Sequence, residues 1–235
     1  MGVDSFLLFW DTRQPGKIQG GYWESHSDDV TSLEFHPNHA STLASGSTDG
    51  QVNIFDVSQP DEDAALVTSH QTEDSVARLC WYSRKGQDQQ LAIATHTEEL
   101  QLWSTEAEGP HTMLSRSALC HGIRRSATEH CYMAGFHQRG EEEGLVVVAG
   151  SSYSPDPCLR LALVKNKKAK PLGILKRKAG GGYGVARCSL HIQGTNSLVT
   201  GGEDGVVRLW GEGGSDLVSE SGKLVNKSKV RDKPY

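Results

Sequence analysis

One hairpin, written twice, limits what this chain can become. Leu43 to Phe55 reads Leu-Ala-Ser-Gly-Ser-Thr-Asp-Gly-Gln-Val-Asn-Ile-Phe, and Leu198 to Trp210 reads Leu-Val-Thr-Gly-Gly-Glu-Asp-Gly-Val-Val-Arg-Leu-Trp. Each is an apolar stretch, an Asp-Gly step and a second stretch ending on an aromatic. The step suits a tight turn, because Gly50 and Gly205 reach positive φ without a Cβ clash. Val52 and Ile54 alternate with Gln51 and Asn53, the period of a strand with one buried side. A chain that repeats one hairpin is to be read first as a repeat architecture.

Taken in order, the chain offers further copies. Asp4 to Trp10 has the spacing of Asp49 to Phe55 and Asp204 to Trp210, so it matches the second half of the hairpin. Lys17 to Tyr22 suits a short outer strand, and Val30 to Phe35 a strand preceding the first hairpin. Val76–Tyr82, Leu91–Thr95 and Leu100–Trp103 form a unit whose turn, His96 to Glu99, lacks Asp-Gly. Ser104 to Glu129 fits the pattern worst: an outer strand near His111–Leu114 and an irregular connection are expected. Cys131–Phe136, Leu145–Ala149 and Cys158–Val164 form a unit stretched by two insertions, one carrying Glu141, Glu142 and Glu143 as a solvated loop. Val185–His191, Ser197–Gly201 and Val206–Trp210 form the last.

With these residues assembled, His26…Leu43-Ala44-Ser45-Gly46-Ser47-Thr48-Asp49-Gly50…Ile54-Phe55-Asp56 resembles the WD repeat, one four-stranded blade of a β-propeller. The resemblance runs from residue 4 to 210, weakest over 104–130, and implies an all-β fold of about four blades plus one leading strand. In that family a Trp, a middle-strand Ser or Thr, the turn Asp and an upstream His form a buried hydrogen-bonded set. Carried onto this chain, the set is His26, Ser45 and Asp49, with Phe55 in the Trp position, and Thr200, Asp204 and Trp210 without an upstream His. Trp10 and Trp103 take the Trp position of two other units. A WD propeller usually holds more blades of ~40–45 residues. The chain is therefore expected to be an incomplete propeller, a fragment or shortened form, with open edges that invite strand pairing and self-association. Residues 1–210 are expected to form the propeller segment and 211–235 a polar, disordered tail.

The rest of the sequence narrows the chemistry. There is no nucleophile elbow, no zincin His pair and no phosphate loop; Gly180-Gly181-Gly182-Tyr183-Gly184 neither follows a strand nor opens a helix, and reads as a flexible link. Cys120, His121, His130 and Cys131 are metal-binding types, but as adjacent pairs they lack zinc-site spacing. His36, His137 and His191 share one position in three units, which marks a structural slot. No catalytic residue, metal or cofactor is expected.

No stretch approaches the ~18 apolar residues of a membrane helix. Met1 to Asp11 lacks a basic head and cleavage pattern, so no secretory signal is expected. Five Cys without close pairing suit reduced thiols in an intracellular, cytoplasmic or nuclear protein. A net charge of −5 argues against general nucleic-acid binding. The expected role is a non-catalytic scaffold for protein contacts. Its candidate partner face is Trp23, Asp28, Asp29, Asp74, Arg78 and Arg187, in loops before first strands and at middle turns. The alternative is an adaptor that meets nucleic acid or an acidic protein through the basic run Lys165, Lys167, Lys168, Lys170, Lys176, Arg177 and Lys178, a solvated hairpin tip in its plainest reading.

Overall fold

The alternating stretches form strands in the computed structural model, which describes residues 5–84, 87–138, 144–154, 156–176, 184–192, 194–211 and 217–219. The chain divides into two units, Met1–Ser115 with Gly140–Glu143, and Arg116–Arg139 with Gly144–Tyr235.

In the first unit, β1 (Leu7–Trp10) pairs antiparallel with β2 (Ile18–Tyr22). A four-stranded antiparallel sheet follows in chain order: β3 (Val30–Phe35), β4 (Thr42–Ser47), β5 (Gln51–Asp56) and, after the one-turn helix α1 (Glu62–Ala65), β6 (Leu66–Gln71). A second has β7 (Val76–Arg84), β8 (Gln87–Thr95), β9 (Leu100–Ser104) and β10 (Thr112–Leu114). The Asp-Gly turn joins β4 to β5 with Gly50 at φ +82°, and Ser45 pairs with Asn53.

The sheets stack through apolar rows. Ala44, Val52 and Ile54 of one meet Val76, Leu79, Trp81, Leu91, Ile93 and Trp103 of the next. On the far side Phe55 and Ala65 meet Leu7 and Tyr22. β4 is thus buried on both faces, which explains its run of small residues. A Cβ on Gly46 would stand 2.7 Å from Val76 Cγ1, so the close approach of the next sheet requires glycine there.

The second unit opens with α2 (Arg116–Gly122) and a 3-10 turn at Thr128–His130. β11 (Cys131–Gln138), β12 (Leu145–Ser151), β13 (Cys158–Lys165) and β14 (Lys168–Leu175) then pair in order. A three-stranded sheet has β15 (Ala186–Ile192), β16 (Ser197–Gly202) and β17 (Val207–Trp210), with Gly205 at φ +69° in its turn. β18 (Leu217–Ser219) adds to β14. Ala134, Val146, Val148, Leu159, Leu161 and Leu175 pack on Ala186, Leu198 and Trp210.

Four places differ from the sequence reading. The irregular connection expected after Leu114 is in part α2, whose seven residues bury only Leu119, Cys120 and Gly122, too short a stripe to register as a period. α1 and β6 have no counterpart in the sequence pattern: Leu66 and Val67 stay exposed, so β6 carries no apolar row. Glu98 at φ +65° takes the place of the missing glycine in the β8–β9 turn. Leu217–Ser219 form a strand inside the segment expected to be a tail. The Glu141–Glu143 run, Arg177, Lys178, Gly180–Tyr183 and the rest of 212–235 lie outside the described residues.

Candidate functional site

The β4–β5 turn is locked by a relay. His26 Nδ1 lies 3.1 Å from Asp49 Oδ2, and His26 Nε2 lies 2.7 Å from Ser45 Oγ. Asp49 also accepts the amide N–H groups of Ser27 at 2.9 Å and Gln51 at 2.8 Å. Burial would raise the Asp49 carboxyl, but these amides and His26 together hold it below the usual carboxylate range. Burial lowers His26, against the opposing pull of Asp49, so the imidazole is neutral. The carboxylate can only accept, so Nδ1 carries the proton and the Ser45 hydroxyl donates to Nε2. Serine, histidine and aspartate in this order also make a hydrolytic triad. Here, however, Ser45 is 0% exposed, His26 6%, and the Ser45 oxygen has no face on which a substrate carbonyl fits. The relay is a strut. Phe55, fully buried against Tyr22 at 4.8 Å, has no N–H to extend it.

The same slot is filled differently elsewhere. Asn53, Gln101 and Arg208 occupy one register position, each opposite the middle-strand residue Ser45, Ile93 or Thr200. In the second sheet Ile93 offers no hydroxyl, so Trp103 Nε1 donates to Gln101 Oε1 at 3.0 Å instead. Gln101 in turn donates to the Thr72 carbonyl at 3.1 Å and to Glu99 at 2.9 Å. In the last sheet Trp210 Nε1 donates to Thr200 Oγ1 at 2.9 Å, and Asp204 is ion-paired with Arg208. Trp10 departs from expectation. It stands 50% exposed, because β1 has only β2 beside it among the described residues.

Other candidate ligands resolve into packing. His36 Nδ1 accepts the amides of Asn38 and His39, and its ring meets Trp81 at 4.8 Å. His137 bonds Ser189 at 2.8 Å. Burial, then the neighbouring Cys120 thiol, pushes the Cys131 thiol up to about 12, so it stays protonated at neutral pH.

The candidate partner face is partly assembled on one rim of the first unit. Trp23 is 52% exposed and meets Phe6 edge-to-face at 5.2 Å. Its loop is held by a residue the sequence reading missed. The Glu62 carboxylate accepts the amides of Trp23 at 2.6 Å and Glu24 at 3.0 Å, and the Ser25 hydroxyl. Burial opposes ionisation of Glu62, but these donors hold it below the usual range. The only signal was the acidic triplet Asp61-Glu62-Asp63 after Pro60, a helix-start pattern. Ser5 and Ser47 hydroxyls bond the Asp28 carbonyl, Thr48 N–H bonds the Asp29 carbonyl, and Ser75 Oγ bonds the Thr48 carbonyl. Thr97 Oγ1 donates to Asp74. The loop of Asp28 and Asp29 is therefore cross-linked through Thr48 and Ser75 to that of Asp74, while Trp23, earlier in the same loop, is held by Glu62 and Phe6. Arg78 is half-buried in β7, while Arg187 belongs to the second unit and pairs with Glu203.

Comparison with known proteins agrees with these blades. The family model described as WD domain, G-beta repeat matches residues 18–56 and 170–211. An uncharacterized WD repeat-containing protein of Saccharomyces cerevisiae is 30% identical over 219 residues, covering 89% of this chain and 51% of that protein. The WD repeat-containing protein 89 homolog of Dictyostelium discoideum is 33% identical over 103 residues, 44% of this chain and 28% of its own length. The chain thus spans about half, or less, of these relatives. The Cps50 (Swd1) β-propeller domain of Myceliophteria thermophila superposes with a TM-score of 0.61 at 13% identity, covering 94% of this chain and 62% of that one. The chain carries WD repeats, matched at residues 18–56 and 170–211, and has the fold of β-propeller blades.

Proposed function

We propose that the chain is a non-catalytic scaffold whose first-unit rim binds another protein. What supports this reading is one observation: an exposed Trp23 packed on Phe6, with its loop amides held by Glu62, a few residues before Asp28 and Asp29, whose loop is tied through Thr48 and Ser75 to that of Asp74. Exposed tryptophan is a favoured anchor, and a loop already ordered loses little entropy on binding. The five cysteines are free thiols, which suits a reducing compartment inside the cell. Among the described residues, no helix is long and apolar enough to cross a membrane. The test is affinity capture with mass spectrometry, comparing the chain with its W23A/D74A variant. Partners lost from the variant, with its melting temperature kept, support the rim; identical partner sets remove it.

A second reading rests on the edges. β17 has no outer neighbour among the described residues, and its Val207 is 74% exposed; on β1 and β2, Trp10 and Ile18 are half-exposed. Such edges favour self-association of the 235-residue chain. Sedimentation over a range of concentrations measures this, and a monomer throughout refutes it.

A further inference from the structure

A lysine finger projects from the second unit. β13 and β14 are joined by the two-residue turn Asn166–Lys167, both in left-handed backbone at φ +53° and +57°. Asparagine takes this conformation readily and glycine freely, whereas lysine resists it. Lys165 and Lys168 are direct cross-strand partners, and Lys170 lies opposite Leu163. Like charges set opposite each other repel. Lys165, Lys167, Lys168 and Lys170 are all exposed, and among the described residues none of the four makes an ion pair. One side of the hairpin is fixed next to its turn: a Cβ on Gly122 of α2 would stand 2.5 Å from Ala169 Cβ, so helix and hairpin are in tight contact.

The setting reinforces the charge. Residues 116–235 hold 19 Lys or Arg against 11 Asp or Glu, a net +8, whereas residues 1–115 hold 5 against 18, a net −13. The mild overall charge therefore conceals a basic half. Glu141–Glu143, the nearest acidic run in sequence, lies outside the described residues.

We propose that this finger binds the phosphate backbone of a nucleic-acid duplex. Lysine acts as a point charge suited to spaced phosphates, whereas paired recognition of carboxylates favours arginine. A two-stranded ribbon fits a duplex groove. Single strands are held by aromatic stacking. The exposed aromatic of this unit among the described residues, Tyr153, follows the Ser151 end of β12, while the finger lies beyond the Leu145 end.

The test uses the full chain and fluorescence anisotropy with labelled DNA and RNA duplexes of about 20 base pairs, and a polyglutamate peptide, from about 50 to about 200 mM salt. Four phosphate contacts predict a slope of log K on log salt of about −3.6, a loss of roughly 100-fold over that range. K167A/K168A is expected to make the slope shallower by about 2 without lowering the melting temperature, and K165A/K167A/K168A/K170A to abolish binding. Binding of either duplex in this pattern supports the proposal, the tighter one naming the source of the phosphate. No binding at low salt, a slope unchanged in K167A/K168A, or polyglutamate bound more tightly than both duplexes overturns it.

Discussion

The stacking of sheets in the first unit is tested by adding one methyl group. Gly46 of β4 has the Val76 Cγ1 methyl 2.7 Å from its virtual Cβ, and Leu79 Cγ and Cδ1 at 3.3 Å. Val76 is 0% exposed, so it has nowhere to retreat. Gly46→Ala forces these side chains off their rotamers, at about 1–3 kcal/mol. The smaller entropy of the unfolded alanine chain offsets about 0.4–1 kcal/mol of that. Val76→Ala alone deletes buried methyl groups and leaves a void, at about 2 kcal/mol. In the double variant the methyl added at position 46 occupies space that Cγ1 has left, so the combined loss falls short of the sum by at least ~1 kcal/mol. Urea unfolding with constant m values measures all three. Additivity within ~0.5 kcal/mol would show that Gly46 and Val76 do not meet, and that the sheets do not pack in this register.

Four further outcomes follow from particular contacts. Trp210→Phe leaves the buried Thr200 hydroxyl without its indole partner and is expected to destabilise by about 1–3 kcal/mol in denaturant titration. Burial lowers His26, His36 and His70, so the unfolded chain binds more protons than the folded one just below the ordinary imidazole value of 6.5; stability present above that pH is lost as pH falls through the folded values. Replacing His70, whose Nε2 is buried without a partner and whose ring meets Trp103 at 4.9 Å, by Phe should flatten melting temperature against pH over that window. Glu62→Ala frees the amides at 23 and 24, costs about 1–3 kcal/mol, and should open that loop to limited proteolysis. Lys167→Gly relieves the left-handed turn and should stabilise by up to about 1 kcal/mol, read from the urea midpoint.

Where the sequence was legible, the reason is local. The Asp-Gly turns, the alternation of Val52 and Ile54, and the small residues of β4 each answer to the backbone beside them. The His26–Ser45–Asp49 relay was readable because its members keep family spacing. What was hidden depends on partners far away in sequence. Gln101 substitutes for a hydroxyl only because Ile93 lies opposite it and Trp103 two residues on. Glu62 clamps residues nearly forty positions earlier through a helix of one turn. Trp10 carries the right spacing yet lacks covering strands among the described residues. Arg187 reads as an anchor until Glu203 is placed beside it.

Stacked antiparallel sheets whose second strands, paired on both sides, are almost fully buried are central to this fold. Amide hydrogen exchange followed by mass spectrometry along the chain measures this directly, because protection tracks buried, paired backbone. The prediction is slowest exchange at β4, β8 and β12, with β1 and β17 faster. Uniformly fast exchange across Thr42–Asp56, or protection greatest in the edge strands, would contradict it.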